Sequence, residues 1–314
     1  MSTNTSGGTT TSLNNTPQAK DDFYWLNEDF LGVSYFDVMA NDLGGKAKVL
    51  WAIDDGDNGG ADLIDRDLAR AEHTATERSA MGAKIWITSD GRVGYDGSAL
   101  SASAIASLQA LAEGQTATDT FTYSIRLANG TLSWATVTIT YVGTNDAPDI
   151  FMGAGDSAAA TLAETDAPLT AFGTLTVIDP DTSDTVSTAV TGLAVSGSQG
   201  SLTTAQLQAM LSLSNALGNA ADPGSAGNLG WAFDSGAATF DYLASGESLT
   251  LTYTLTSTDN HGATDTQTVT INILGTNDAA VLSTDVRNLT ETNSATDIST
   301  SGTLTISDVD SPES

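Results

Sequence analysis

The chain has 314 residues, 39 of them acidic and 10 basic, for a net charge of −29. Such an excess repels phosphate backbones and anionic headgroups, which argues against nucleic acid and acidic membrane surfaces as partners. Cysteine is absent, so disulfides, thiolate zinc sites and cysteine nucleophiles are excluded.

The length leaves room for two or three domains. Gly, Ser, Thr, Ala, Asn and Asp are abundant, a mix that suits short strands joined by many turns. Residues 1–16 read as a disordered polar tail. They have neither the basic n-region nor the apolar h-region of a secretory signal, and no run approaches the ~18 apolar residues of a membrane span. Taken literally, such a start suggests a cytoplasmic protein. It fits equally well export by a signal elsewhere, at the C-terminus of a longer chain. The last residues, which read as a strand and a turn cut in mid-domain, favour that second view and a secreted or cell-surface location.

Domain one is expected over 17–145. It opens with acidic clusters at Asp21-Asp22 and Glu28-Asp29, followed by a short strand into Asn41-Asp42. The stretch "DDGDNGGADLID" (54–65) lacks the full spacing of a calcium loop and reads as a surface loop. Residues 61–83 look helical, with Leu63, Ile64 and Leu68 on one side, and are expected to form a surface insertion. Then come two alternating runs, Phe121-Tyr123-Ile125 and Val137-Ile139-Tyr141, around a turn rich in Asn and Gly. That is a β-hairpin with one buried face. It ends in the quartet Gly143-Thr144-Asn145-Asp146.

Domain two is expected over 146–277. It carries Glu164 in "LAETDA", then a strand into Asp179-x-Asp181. A helix is expected over 203–217, with Leu207, Met210 and Leu211 facing the core. A second hairpin follows, Leu251-Tyr253-Leu255 and Val269-Ile271-Ile273, whose turn "STDNHG" holds Asp259. It ends in the same quartet, Gly275 to Asp278, 132 positions after the first. Domain three, 278–314, starts the pattern again with Glu291 and with Asp308 and Asp310 in "SDVDSPE", then stops as a truncated repeat.

Repeated carboxylates at repeat boundaries call for a cation. From Leu127 to Val286 the sequence has 16 carboxylates and no Lys or Arg. Calcium takes six to eight oxygens at about 2.3–2.6 Å in loose geometry, and ligands that repel one another without the ion bind it and become ordered in one step. Asn145, Asp146, Asp179, Asp181, Asp259 and Glu28 are the candidate ligands at the first boundary.

"GTNDAP" after a strand, an acidic "LAETD", "DPD" about thirty residues on, and "STDNHG" before the next "GTND" together resemble the bacterial VCBS repeat and, more widely, cadherin-like domains. The opening "DD", "NED" and "DVMAND" resembles the cadherin-like Ig modules found beside such repeats. The resemblance covers nearly all of 17–314. It implies an all-β chain of tandem cadherin-like or Ig-like β-sandwich domains with small helical insertions, and calcium at the joints. It also implies a place in a large secreted adhesin of the RTX type, exported by type I machinery. By the same resemblance the second joint uses Glu164, Asn277, Asp278, Asp308 and Asp310. Gly143 and Gly275 stand where cadherin linkers have an Asp, and domain one has "RLANGT" where domain two has "STDNHG".

The expected function is a non-catalytic, calcium-rigidified extender that holds distal binding domains away from the cell, with glycans as partners of other domains. The alternatives are the accessory β-region of a secreted hydrolase and a carbohydrate-binding module. Two histidines, His73 and His261, offer little for a catalytic triad, and no G-x-S-x-G or phosphate-loop motif appears.

Overall fold

The computed structural model describes every residue except 1–2, 7–8, 13–18, 56–61, 76, 128–129, 217–218, 221–224, 291–292, 294–298 and 311–314. The chain divides into two compact units, 1–146 with 180–183, and 147–179 with 184–314. Within the polar tail, β1 (Thr3–Ser6) and β2 (Thr9–Ser12) pair antiparallel.

The first unit is built from β3 (Asp22–Asn27), β4 (Val33–Phe36), β5 (Val49–Asp54), β6 (Glu77–Arg78), β7 (Lys84–Ile87), β8 (Val93–Asp96), β9 (Thr116–Arg126) and β10 (Leu132–Val142). They form two sheets, in the orders β3-β10-β9-β5 and β4-β8-β7-β6. Alternation decides which side chains go inside: along β10 every second residue is buried, from Ser133 to Tyr141. Phe121, Tyr123, Ile125, Val137, Ile139 and Tyr141 from one sheet meet Ile85, Val93 and Tyr95 from the other in one core. A sandwich results, with threonines filling the outward positions that β-branched residues favour. Helix α1 (Ala102–Leu108) is capped by Ser101, whose hydroxyl accepts from the Ala104 amide, and it buries Leu108.

The second unit repeats the plan with β11 (Asp149–Phe151), β12 (Ala159–Ala163), β13 (Thr170–Ile178), β14 (Thr185–Gly197), β15 (Leu211–Ser214), β16 (Asn219–Ala220), β17 (Leu229–Asp234), β18 (Ser248–Thr258) and β19 (Thr264–Leu274). The sheets run β11-β13-β17-β15 and β12-β19-β18-β14-β16, and Trp231, Phe233, Leu251, Tyr253, Leu255, Val269 and Ile271 fill the core. In both sandwiches the first strand of the hairpin sheet lies parallel to the last: β3 on β10, with Asn27 opposite Val142, and β12 on β19, with Ala163 opposite Leu274. Beyond it β20 (Val281–Leu282) pairs antiparallel with β21 (Ile306–Ser307), just as β11 pairs with β13.

Two helix expectations fail. The described part of 61–83 holds only single 3-10 turns at Asp62–Ile64 and Glu72–Thr74, and β6. Leu63 is buried, whereas Ile64 and Leu68 are both 64% exposed, so the supposed apolar stripe does not exist. Instead the segment satisfies the open edge of β5: the Asp67 amide donates to Trp51 O and Asp67 Oδ2 accepts from the Ile53 amide, each at 2.9 Å. The guanidinium of Arg66 also lies over the Trp51 ring. Over the described part of 203–217 the helix is only α2 (Thr204–Gln208), opened by a Thr203–Gln206 capping box. Leu211 and Leu213 then alternate as β15 against Phe233 and Trp231, because pairing into a sheet buries them better than continued helix would. Leu207 and Leu211 are core residues as expected, and Met210 packs beside them.

Candidate metal centres

The first centre grows from the end of β10. Glu28 follows β3, and its amide donates to Val142 O. Its carboxylate is fully buried. Oε1 accepts from the Thr144 amide at 2.8 Å and the Thr144 hydroxyl at 2.7 Å. Further along, the Asn145 side chain donates to Asp146 O and the Asp146 amide donates to Asp181 Oδ2 at 2.9 Å. One oxygen each from Glu28, Asp29 and Asp146 lies within 4.8 Å of the others. Burial, followed by the charges of Asp29, Asp181 and Glu28, pushes the Asp146 carboxyl above its ordinary range.

The second centre copies the first. Glu164 follows β12, and its amide donates to Leu274 O. Glu164 Oε2 accepts from the Thr276 amide and hydroxyl, both at 2.9 Å. Asn277 donates to Asp278 O, the Asp278 amide donates to Asp310 Oδ2 at 2.9 Å, and the Asp310 amide donates to Asp308 Oδ1. Burial, then the charges of Glu164, Asp310, Asp166 and Asp241, raises the Asp278 carboxyl.

Both centres depend on a close backbone approach. A Cβ on Gly143 would sit 2.3 Å from Ala112 O, and one on Gly275 would sit 2.3 Å from Ala244 O. No side chain fits at either position, which accounts for glycine where the cadherin pattern has an aspartate.

A third group lies at the ends of β13, β14 and β18. Asp179, Asp184 and Asp259 are all buried and bring one oxygen each within 4.8 Å of one another. Asp259 Oδ1 also caps its turn, accepting from the amides of His261, Gly262 and Ala263. Gly262, at φ +95°, supplies the left-handed step the turn needs. His261 Nδ1 lies 2.9 Å from Asp184 Oδ2.

The Asp-x-Asp pair therefore serves two groups: Asp179 joins Asp184 and Asp259, and Asp181 receives the Asp146 amide. Sequence reasoning missed Asp29, Asp184 and Asp241. Asp184 carried a signal, as the third acid of Asp179-x-Asp181-x-x-Asp184. Glu291 lies outside the described residues, as does part of the loop at 54–65.

The donor set fits a hard, oxygen-preferring cation. The clearest sign is an atom left over in each copy: Glu28 Oε2 and Glu164 Oε1 are buried and have no hydrogen-bond partner, and Asp278 Oδ2 and Asp310 Oδ1 share that state. A buried carboxylate oxygen without a donor is costly, and a metal ion removes the cost.

No family model and no curated protein matches the chain. Among solved structures it is similar to Drosophila N-cadherin EC1-4, at 12% identity and a TM-score of 0.38, over 84% of this chain and 50% of that one. It is likewise similar to human CDH23 EC21-23, at 14% identity and a TM-score of 0.38, over 94% and 81%. A third is the protocadherin gammaB7 EC3-6 cis-dimer, at 13% identity and a TM-score of 0.40, over 92% and 55%. The chain thus spans about half the length of the first and third of these. No helix among the described residues is long and apolar enough to cross a membrane.

Proposed function

We propose that this chain is a calcium-stiffened, non-catalytic extender segment of a bacterial extracellular adhesin, holding distal binding domains away from the cell. The observation that supports it most is the duplicated cage: a buried glutamate gripping a Thr-Asn-Asp segment, with an aspartate accepting the last amide, built twice. Each copy leaves a glutamate oxygen unpartnered. The repeat pattern of the sequence supports the bacterial setting.

Glu28, Asp29, Asp146 and Asp181 would hold calcium at the first cage, Glu164, Asp278, Asp310 and Asp241 at the second, and Asp179, Asp184 and Asp259 form a further group. When bound, calcium supplies the positive charge these carboxylates lack. The protein's part is to hold residues 143–146 and 275–278, the segments through which one repeat leads into the next. Segments held in that way cannot swing, and tandem modules then act as a rod.

Calcium titration of the full chain, read by calorimetry and small-angle scattering, tests the reading. The expected result is binding with Kd of about 10⁻⁴–10⁻³ M, as in extracellular modules, and a radius of gyration that rises with calcium and falls on chelation. Glu28→Gln and Glu164→Gln should each weaken part of the binding. Absence of heat would remove calcium from the account. Heat with an unchanged scattering profile would keep the ion and reject the extender.

A further inference from the structure

Away from the cages, the first sandwich buries a second pair of carboxylates. Asp22 opens β3 and faces inward with Tyr24 and Leu26. Asp42 closes the turn after β4. They are 7% and 8% exposed, and Oδ2 of each is buried without a hydrogen-bond partner. The Tyr123 hydroxyl lies against both, 3.0 Å from Asp42 Oδ1 and in bonding reach of Asp22. The same hydroxyl sits 2.7 Å from Val38 O and 3.0 Å from Lys20 O. A phenol has one proton to give, yet this one faces four oxygen groups. Among the described residues, the one other donor to these carboxylates is the Lys20 amide, on Asp42 Oδ1.

Asp21 and Asp37 push on Asp22, while Lys20 and Lys48 act on Asp42. Asp21 and Asp37 are exposed and only add to the negative charge around the buried pair. The Lys48 ammonium is committed to Met39 O and Asp42 O. Burial raises the Asp22 carboxyl to about 7 and moves that of Asp42 the same way.

The second sandwich is an internal control. Its matching register places Ala158 where the first has Asp22, and Leu255 where the first has Tyr123. The fold therefore needs no polar nest there, and the first sandwich has one for another reason.

We propose that Asp22 and Asp42, with the carbonyls of Lys20 and Val38 and the Tyr123 hydroxyl, form a divalent-cation site of the calcium class inside the first sandwich. It is oxygen-rich and poor in protons, which is the setting such an ion takes. It would join β3 in one sheet to the turn after β4 in the other, so the ion would act as a clamp across the sandwich rather than at the chain crossings.

Bound calcium per full-length chain, measured by equilibrium dialysis, tests the site. Asp42→Asn and Asp22→Asn should each bind one ion fewer than the parent chain, and calcium should raise their melting temperature less. In chelator they should melt at or above the parent, because the amide removes a buried charge. An unchanged ion count, with melting raised equally with and without calcium, would show that a shared proton holds the pair and would overturn the site. If either variant fails to fold, crystals of the parent chain grown in calcium decide: anomalous density between the two carboxylates supports the site, and its absence rejects it. Loss of ions at the cages is read separately through Glu28→Gln and Glu164→Gln, so the two proposals can fail independently.

Discussion

The two cages share a backbone and differ in where one acid stands. The first has Asp29 after its buried glutamate, and the second has Thr165. The second has Asp241, whose Oδ1 is buried without a partner. The first has Gln109 at the equivalent place, and its amide donates to Glu28 O. Gly143 against Leu111 and Ala112, and Gly275 against Leu243 and Ala244, fix that correspondence. One carboxylate has moved from one loop to another while the scaffold of Glu, Thr, Asn and Asp stayed in place. The lesson is that the scaffold positions the chain and the surrounding loops set the charge, so ion affinity can vary from joint to joint without disturbing the strands.

Three measurements bear on that comparison, with effects in descending order. Gly143→Ala and Gly275→Ala push a methyl into backbone carbonyls, and each should destabilise its own sandwich by about 1–3 kcal/mol, as overpacking does. Two-step thermal unfolding should show one transition falling while the other holds. Equal losses in both transitions would mean that the sandwiches do not fold separately.

Next, in chelator, lowering the pH from 8 to 6 should stabilise the first sandwich more than the second. Asp22 binds its proton more tightly in the folded chain, at about 7, than in the unfolded one, near its ordinary 3.8. The cost of burying its charge is therefore present above the folded value and is relieved as pH falls through it, by about 1 kcal/mol across this window. Denaturant midpoints at the two pH values check this.

The smallest effect should come from exchanging the loops. Asp241→Gln should weaken calcium at the second cage and Gln109→Asp should strengthen it at the first. Each change should be roughly twofold to fivefold, or about 0.4–1 kcal/mol, the range of partly solvated charges. Opposite signs sharpen the comparison, and a null result in both would break it.

How much of this could be read from the sequence depends on repetition. The hairpins were plain because Val137-Ile139-Tyr141 and Val269-Ile271-Ile273 alternate without interruption and all are buried. The Thr-Asn-Asp segments were plain because they occur twice. Asp29 and Asp241 were not, because each occurs in one copy and only spatial superposition relates them. The strap over the β5 edge has the composition of a helix, and only the needs of an unpaired edge strand explain its form. Asp22 and Asp42 were visible as acids, but their burial beside Tyr123 is a property of the packed sandwich.

The parallel pairing of β3 with β10, and of β12 with β19, has a mechanical consequence. When the first and last strands of a module run the same way, the chain enters at one end of the pair and leaves at the other. Tension on the termini then slides the two strands past each other instead of peeling them apart. In the first module the bonds along Asp22–Asn27 are loaded together in shear, so rupture requires many to break at once; in the second, β11 precedes β12 and pairs antiparallel with β13, so that strand takes the load first.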